Sequence, residues 1–156
     1  VAKGLSDFGG ADRRFQYKGC VDGVTIIDDS YNASPVSMKA GIEVLSSMAG
    51  VKRRIAVLAD MKELGPDTIT YHREVGAFLK HQPIDQLVLM GELAWEIETG
   101  LKMDGGKISC VKTSTLEETE TWLAEAVREG DCLLFKGSNS MGLSKAVSFM
   151  REKLTN

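Results

Sequence analysis

The sequence lacks the features of several protein classes. No apolar run approaches the roughly 18–20 residues that a membrane-spanning helix needs, and the start carries no apolar segment of the kind found in a secretory signal peptide. The three cysteines, Cys20, Cys110 and Cys132, are far apart and odd in number, which is typical of reduced thiols and not of a disulfide framework or a zinc site. With a net charge of −3 the chain has no excess of basic residues. We therefore expect no membrane and no nucleic acid among its partners.

The chain has the size and composition of a single globular domain. Its 156 residues are 43% hydrophobic, which is ordinary for a soluble protein. The first residue is Val1 and not Met, so we expect a fragment of a longer protein. Residues 1–12 are rich in glycine and alanine, and we interpret them as a linker or the end of a preceding domain. The domain itself is then expected at residues 13–156.

Short apolar runs alternate along the chain with stretches of helical periodicity. Residues 54–59, 86–90 and 131–135 are typical of buried strands, and residues 107–111 of a weaker strand nearer an edge. Ahead of them, two strands are expected around a tight turn at residues 22–23.

Four helices are indicated between and after these strands. Apolar residues recur at helical spacing in three stretches: Met38, Ile42, Leu45 and Ala49; Tyr71, Val75 and Phe78; and Leu143, Val147, Met150 and Leu154. A fourth helix begins at a capping-box pattern in residues 114–117, extends to about Arg128 and is stopped by Gly130. Alternating strands and helices with short connections predict an α/β fold. Right-handed crossovers would make it doubly wound, with a mostly parallel sheet and helices on both faces.

Polar residues are concentrated in the loops that follow the strands. Four such loops are expected, at residues 28–34, 60–65, 91–92 and 136–142. In a parallel sheet all four lie at the carboxyl edge, where open α/β sheets bind ligands, so this edge is the candidate site. The first loop joins two adjacent acids and an asparagine. A purely structural turn is the alternative, because Asp and Asn are common turn residues.

The last loop has the glycine spacing of a phosphate-binding loop but not its chemistry. Leu143 stands where that motif has its essential lysine, and a leucine neutralises no phosphate, so we reject a nucleotide-binding P-loop here. What remains is a set of backbone N–H groups and two hydroxyls, Ser138 and Ser140, ahead of a helix. These favour an anion such as a substrate carboxylate. A flexible loop before an N-capped helix is the alternative.

The other polar candidates are weaker. Arg13 and Arg14 precede the first strand and are more typical of a solvated pair than of an anion contact. For His72, a surface or capping position is favoured over a role as general base or ligand. The sequence has no G-x-S-x-G, H-E-x-x-H or EF-hand pattern. By its residues alone, the chain has acids and hydrogen-bond donors but no complete catalytic set.

Five motifs, in this order, resemble the C-terminal domain of the Mur ligase family. They are residues 13–16 (RRFQ), residues 28–35 (DDSYNASP), residues 59–65 (ADMKELG), His72 with the Val-Gly of residues 75–76, and residues 136–142 (KGSNSMG). Together they cover nearly the whole chain. The YNASP string separates one branch of the family from its sisters. That branch adds D-alanyl-D-alanine (D-Ala-D-Ala) to a UDP-N-acetylmuramoyl-tripeptide (UDP-MurNAc-tripeptide) in peptidoglycan synthesis.

The resemblance implies a fold, a reaction and partners. The domain would be Rossmann-like and would follow an N-terminal UDP-sugar-binding domain and a central ATPase domain, which are its expected partners. ATP would phosphorylate the acceptor carboxylate, and the amine substrate would attack the resulting acyl phosphate. Mg²⁺ and the P-loop would belong mainly to the central domain. This domain would close over ATP and help to bind the amine substrate, in the bacterial cytoplasm.

The resemblance also implies roles for single residues. Arg14 would be a catalytic arginine that reaches the ATP phosphates, and Asp29 an acid that holds the nucleotide ribose. Asn32 would lie beside the nucleotide. The substrate side would be lined by Asn32, Ser34, Lys136, Ser138, Asn139 and Ser140. Many relatives carry arginine at the position of Asn139, so Lys136 is the candidate for capturing the substrate carboxylate instead.

Other interpretations stay open. The chain would also fit a sister Mur ligase or a folylpolyglutamate synthase, although residues 31–35 weaken that interpretation. A non-catalytic nucleotide- or metabolite-binding module with a similar sheet is the third. Because the chain lacks a P-loop, we expect it to hydrolyse no ATP and to ligate nothing by itself.

Overall fold

The computed structural model describes residues 16–155, with side chains described for residues 22–155. Six strands and five helices alternate in this part of the chain. In chain order they are β1 (Gln16–Val21), β2 (Val24–Asp29), α1 (Pro35–Ser47), β3 (Arg53–Ala59), α2 (Thr68–Leu79), β4 (Gln86–Met90), α3 (Glu92–Met103), β5 (Ser109–Thr113), α4 (Leu116–Ala126), β6 (Asp131–Lys136) and α5 (Leu143–Thr155). Short 3₁₀ turns at Gly65–Asp67 and Asn139–Met141 precede α2 and α5. None of the described helices is long and apolar enough to cross a membrane.

The strands form one sheet in the order β1-β2-β6-β3-β4-β5. The five strands from β2 to β5 are parallel, and β1 pairs with β2 in antiparallel fashion. The hairpin turns at Asp22 and Gly23, whose φ angles of 50° and 79° are those of a two-residue turn that follows the twist of the strands. The predicted parallel sheet is therefore confirmed, as are the leading hairpin and the edge position of β5.

Helices cover both faces of the sheet, as predicted. On one face α1, α2 and α3 bury an apolar stripe that includes Ile42, Leu79 and Ile97. On the other face α4 and α5 bury Leu123 and Val147 against the sheet. Strand β6 is buried along its whole length, because it is central and covered on both sides.

The sheet reverses its winding at β6. The chain leaves β2 and β3 for the face of α1 and α2, and it leaves β6, which lies between them, for the face of α5. Loops at the carboxyl end of β6 therefore diverge from those of both neighbours and leave a crevice. Such a switch point is where doubly wound sheets bind ligands.

Three helices differ in detail from the sequence prediction, and α3 was not among the four helices that it indicated. Helix α1 ends before Ala49, because Met48 has left the helical conformation at ψ 125° and turns its side chain inward instead. In α2 the predicted stripe through Tyr71 and Phe78 is half-buried, whereas His72 is fully buried. The buried face of α2 is rotated because its backbone lies directly on α3.

The fourth helix begins one residue later than the predicted capping box implies. Thr115 is the N-cap and accepts from the Glu118 N–H at 3.1 Å, while the Glu118 carboxylate accepts from the Ser114 N–H at 2.9 Å. The helix ends at Ala126, before the predicted end near Arg128.

Helices α2 and α3 approach each other at two glycines. A Cβ on Gly76 would lie 2.0 Å from the carbonyl oxygen of Ile97, and a Cβ on Gly100 would lie 2.0 Å from that of Arg73. Only glycine permits this backbone contact. The contact holds α2, and the loop that precedes it, against the rest of the sheet.

We expect Gly76→Ala to lower the free energy of unfolding by about 3 kcal/mol, although alanine is the better helix former. The added methyl would overlap a carbonyl of α3 that other backbone bonds hold in place. Urea unfolding of the variant measures the loss, and the control is Thr70→Ala, an exposed position on the same helix, with a change below about 0.5 kcal/mol. Wild-type stability of Gly76→Ala would contradict the close approach of the two helices.

Candidate functional site

The carboxyl ends of β2, β6 and β3 lie side by side at one edge of the sheet. Asp29 of β2 pairs in register with Lys136 of β6, and Lys136 pairs with Leu58 of β3. The loops that follow these strands therefore begin at the same level, as the sequence predicted. We call them loop A (residues 30–34, after β2), loop B (residues 60–64, after β3) and loop C (residues 137–142, after β6).

Lys136 and Asp29 form a buried ion pair at this edge. Their side chains are 2% and 4% exposed, and Lys136 Nζ lies 2.6 Å from Asp29 Oδ2. The same ammonium donates to the carbonyl oxygen of Asn32 at 3.2 Å. Gly41 of α1 leaves room for the pair, since a Cβ there would lie 3.0 Å from Lys136 Cδ. The ion pair thus joins two strands, loop A and a helix.

This burial changes the interpretation of Lys136. A substrate carboxylate can reach its ammonium only if the pair with Asp29 opens. The neighbouring acid behaves differently: Asp28 is half-buried and accepts from the backbone N–H and the hydroxyl of Ser30. Because side chains alternate along a strand, the two adjacent acids face opposite sides of the sheet.

Loop B supplies a cap for a neighbouring helix. Helix α3 begins after Gly91, which has no side chain to cap it. The Asp60 carboxylate takes this place, with Oδ1 accepting from the Ala94 N–H at 2.7 Å, and Oδ2 lies 3.4 Å from Lys62 Nζ. A Cβ on Gly91 would lie 2.3 Å from Asp60 Oδ1, so the close approach requires glycine. An acid at a helix N-terminus is also favoured by the helix dipole.

Loop C is bonded to loop B through Ser138. The Ser138 N–H donates to the Asp60 carbonyl oxygen at 3.0 Å, and the Lys62 N–H donates to Ser138 Oγ at 2.7 Å. Gly137 lies against β3, where an added Cβ would stand 2.6 Å from the Cβ of Ala59. The two loops therefore act as one unit over the ends of β3 and β6.

His72 is part of the same unit, and its predicted surface or capping position is wrong. The ring is fully buried. Its Nε2 accepts from the Met61 N–H at 3.0 Å, and its Nδ1 lies 2.7 Å from the Thr68 carbonyl oxygen. The ring must therefore be neutral with its proton on Nδ1, since a backbone N–H needs an acceptor. A stripe at residues 68, 72, 75 and 79, one helical face, was the signal in the sequence that could have placed it inside.

Burial also sets the protonation of His72. Loss of water around the ring lowers its pKa below the ordinary 6.5, because the charged form is disfavoured. The bond to Thr68 and the charges of Asp60 and Glu96 oppose this effect, whereas Lys62 adds to it. The pKa stays lowered in sum, so the neutral acceptor is the resting form at neutral pH.

The remaining predicted site residues lie at the surface of this edge. Asn32, Asn139 and Ser140 are exposed, although Asn32 Oδ1 accepts from the Ala33 N–H at 2.8 Å. Ser34 is the N-cap of α1, and it exchanges side-chain to backbone hydrogen bonds with Ser37. Its hydroxyl oxygen therefore accepts a hydrogen bond from the first turn of the helix. The exposed amides and the Ser140 hydroxyl are the groups that face outward.

Not all of the predicted residues lie in the described part of the chain. Arg14 and Arg13 lie outside the described residues, as does the whole stretch of residues 1–12 interpreted as a linker. Among the side chains described, those of residues 22–155, no three His, Cys, Asp or Glu come together as a metal site would require. The described part of this edge therefore has the hydrogen-bonding groups for a polar ligand but not the ligand set for a bound metal ion.

Comparison with known proteins gives a consistent result. Residues 13–139 match the family described as Mur ligase, glutamate ligase domain. The chain is 34% identical over 152 residues to the UDP-N-acetylmuramoyl-tripeptide–D-alanyl-D-alanine ligase of Bacillus subtilis, covering 97% of this chain and 33% of the relative. Against the ligase of the same name from Escherichia coli it is 32% identical, with 83% and 27% covered. The chain thus spans about a third of the length of these curated relatives.

Solved structures resemble the fold over nearly the whole chain. The MurF ligase of Thermotoga maritima in complex with ADP has a TM-score of 0.72 at 29% identity, covering 91% of this chain and 31% of that one. A MurF structure from Acinetobacter baumannii has a TM-score of 0.77 at 27% identity, with the same coverage. More distant neighbours, such as the UDP-N-acetylmuramate-alanine ligase of Thermotoga maritima at 19% identity and a TM-score of 0.64, share the fold alone.

We expect Lys136→Met to lower the free energy of unfolding by about 3–5 kcal/mol, because it leaves the Asp29 carboxylate buried without this cation. Combining it with Asp29→Leu removes both charges, so the double variant should recover much of the loss. Urea unfolding of both single variants and the double variant gives the coupling energy. Additive losses would contradict a direct pair.

An exposed ion pair serves as the control for the double-mutant cycle of Lys136 and Asp29. Arg73 Nε and Glu96 Oε1 are 2.9 Å apart, but their side chains are 42% and 27% exposed. The same cycle with Arg73→Met and Glu96→Leu should give a coupling of no more than about 1 kcal/mol, because water screens the pair.

We expect the stability contributed by neutral His72 to be lost as the pH falls. The unfolded ring gains its proton near pH 6.5, above the lowered pKa of the folded ring, so the contribution is complete above pH 6.5 and falls below it. Free energies of unfolding at pH 7.5, 6.5 and 5.5 should therefore decline more steeply for the wild type than for His72→Gln. His81→Gln, at an exposed position, should keep the wild-type slope, whereas equal slopes for wild type and His72→Gln would contradict the buried neutral ring.

Proposed function

The chain belongs to the Mur ligase family, and on that premise we propose that it is the C-terminal domain of an ATP-dependent ligase that adds D-Ala-D-Ala to UDP-MurNAc-tripeptide. One observation carries the proposal: a polar edge of joined loops at the switch point of the sheet, in a chain at least 32% identical to ligases of that name from Bacillus subtilis and Escherichia coli. The N-terminal and central domains of the same protein are its proposed partners, since the chain spans a third of these relatives.

The exposed groups of the edge are proposed to face the amine substrate. Asn139 and Ser140 of loop C and Asn32 of loop A offer amide and hydroxyl groups to the dipeptide. Ser138 and Ser34 are proposed to hold the loop and the helix start in place, because their hydroxyl oxygens accept from the N–H groups of Lys62 and Ser37. These residues bind and orient the amine, which then attacks the activated acceptor carboxylate.

The nucleotide side is proposed to involve Arg14, Asp29 and Asn32. Bound ATP would supply the phosphoryl group that activates the acceptor carboxylate. A guanidinium fork suits phosphate oxygens, and an ionised carboxylate suits ribose hydroxyls. The pair with Lys136 fixes the direction of the Asp29 carboxylate, so we assign Lys136 the task of holding Asp29 instead of capturing the substrate. Because this carboxylate is 4% exposed, it meets ribose hydroxyls only when the pair opens. Mg²⁺ is proposed to be held by the central domain, because the described residues offer no cluster of ligands for it.

The proposed reaction also implies where in the cell the protein would act. A nucleotide-linked precursor and ATP are both cytoplasmic substrates, so the protein would act in the bacterial cytoplasm. Its product would serve peptidoglycan synthesis and, through it, cell-wall growth, cell shape and division.

An amide-ligation assay on the full-length protein tests the proposal. With ATP, Mg²⁺ and UDP-MurNAc-tripeptide, D-Ala-D-Ala should be the preferred amine over L-alanine, D-glutamate, meso-diaminopimelate and glutamate. Preference for a single amino acid would assign the chain to a sister ligase, and glutamate transfer to a folate acceptor would assign it to a folylpolyglutamate synthase. If none of the amines supports ATP turnover, the remaining interpretation is a non-catalytic binding module.

We expect Arg14→Ala in the full-length protein to lower kcat about a hundredfold, with a smaller effect on the KM for ATP, because a cation near the transferred phosphoryl group acts mainly in the transition state. Arg14→Lys should recover part of the loss, since a point charge cannot reproduce the fork. Steady-state rates at saturating substrates measure both, and Arg13→Ala is the control with little loss. Near-wild-type turnover for Arg14→Ala would remove the arginine from the site.

A further inference from the structure

We infer that His72 is a positioning residue for the ligation site: through a single hydrogen bond to the Met61 N–H it holds loop B, and with it loop C, in the geometry that meets the amine substrate. This inference rests on the proposed function. His72 itself is buried within α2 and touches no substrate, so it acts only through the loops.

The hydrogen bonds of loop B carry the inference. Three successive residues are bonded to three different parts of the fold: Asp60 to Ala94 of α3, Met61 to His72 of α2, and Lys62 to Ser138 of loop C. The bonds of Asp60 and Lys62 join loop B to a helix start and to another loop, both of which lie at the same edge of the sheet. His72 is the member that ties the loop to the buried core.

The backbone of loop B needs such an anchor. Glu63 has φ 60°, in the left-handed region that disfavours residues other than glycine. The next turn follows at Gly65, with φ 81°. A strained conformation of this kind persists only when its surroundings determine it, and the bonds on Met61 and Lys62 immediately precede the strained residue.

The chemistry of the ring is specific to this task. The Met61 N–H is buried beneath the loop, and an unpaired buried N–H is costly, so an acceptor must be present. An apolar residue at position 72 would fill the same space without accepting. The bond from Nδ1 to the Thr68 carbonyl fixes the proton on Nδ1 and leaves Nε2 free to accept. A residue buried only for packing would not need this arrangement.

Two amide variants separate positioning from packing. The oxygen of glutamine reaches as far as Nε2 and can accept from Met61. Asparagine is shorter: it can donate to Thr68 in place of Nδ1 but cannot reach the Met61 N–H. The full-length proteins with His72→Gln and His72→Asn are compared with wild type by hydrogen exchange of peptides covering residues 60–64 and by the KM and kcat for D-Ala-D-Ala. His81→Asn, at an exposed position, is the matched control.

We expect His72→Gln to keep the exchange protection of loop B and a KM within about twofold of wild type. His72→Asn should exchange about fivefold faster in this loop and raise the KM for D-Ala-D-Ala about fivefold, with a smaller change in kcat, as loss of one hydrogen bond implies. Wild-type protection in His72→Asn, or faster exchange with an unchanged KM, would overturn the inference.

Two further outcomes are also decisive. If wild-type protein ligates no D-Ala-D-Ala, the proposed function fails, and the exchange data alone decide whether His72 holds the loop. If His72→Asn does not fold, wild type and His72→Gln are compared at pH 7.5 and 5.5. A ring released when the loop opens takes up a proton below pH 6.5, which favours the open state, so protection of loop B, corrected for intrinsic exchange, should fall at pH 5.5 in wild type only. An equal response of the two proteins would overturn the inference.

Discussion

The buried ion pair between Lys136 and Asp29 is the interaction on which the candidate site depends. Burying two charges costs several kcal/mol for each ion, so the pair is not a device for raising stability. Its effect is to fix the positions of the strand ends and of loop A. It fixes the end of β2 against the end of β6, draws the Asn32 carbonyl toward the same ammonium and packs closely against Gly41. A polar group is thereby held at the edge of an otherwise apolar sheet.

The rest of the edge is built on the same plan, with polar groups fixed by partners from other elements. Asp60 caps a helix that starts with glycine, Ser138 joins two loops through its backbone and hydroxyl, and His72 supplies an acceptor from the core. Each contact joins two different elements, with partners 11 to 76 positions apart in sequence. The exposed Asn139 and Ser140 can therefore be small and uncharged, because their position is determined by the bonds beneath them.

Local patterns predicted most of the fold and the location of the site. Apolar runs and helical periods depend on neighbouring residues, so the strands, four of the five helices and the shared carboxyl edge followed from the sequence. The roles of single polar residues did not. Lys136 looked available for substrate because its partner lies 107 positions away, and their meeting depends on β6 inserting between β2 and β3. His72 was misplaced because the rotation of α2 is set by backbone contact at Gly76, which periodicity alone does not reveal.

The most direct test of this account is nitrogen-15 NMR of the lysine ammonium groups. The account predicts that the Lys136 Nζ protons exchange with water far more slowly than those of the exposed Lys52 and Lys145, because the ammonium is enclosed and hydrogen-bonded. This slow signal should disappear in Asp29→Asn. If Lys136 exchanges as fast as the exposed lysines, its ammonium is open to solvent. The pair would then not be the fixed point from which the edge is built.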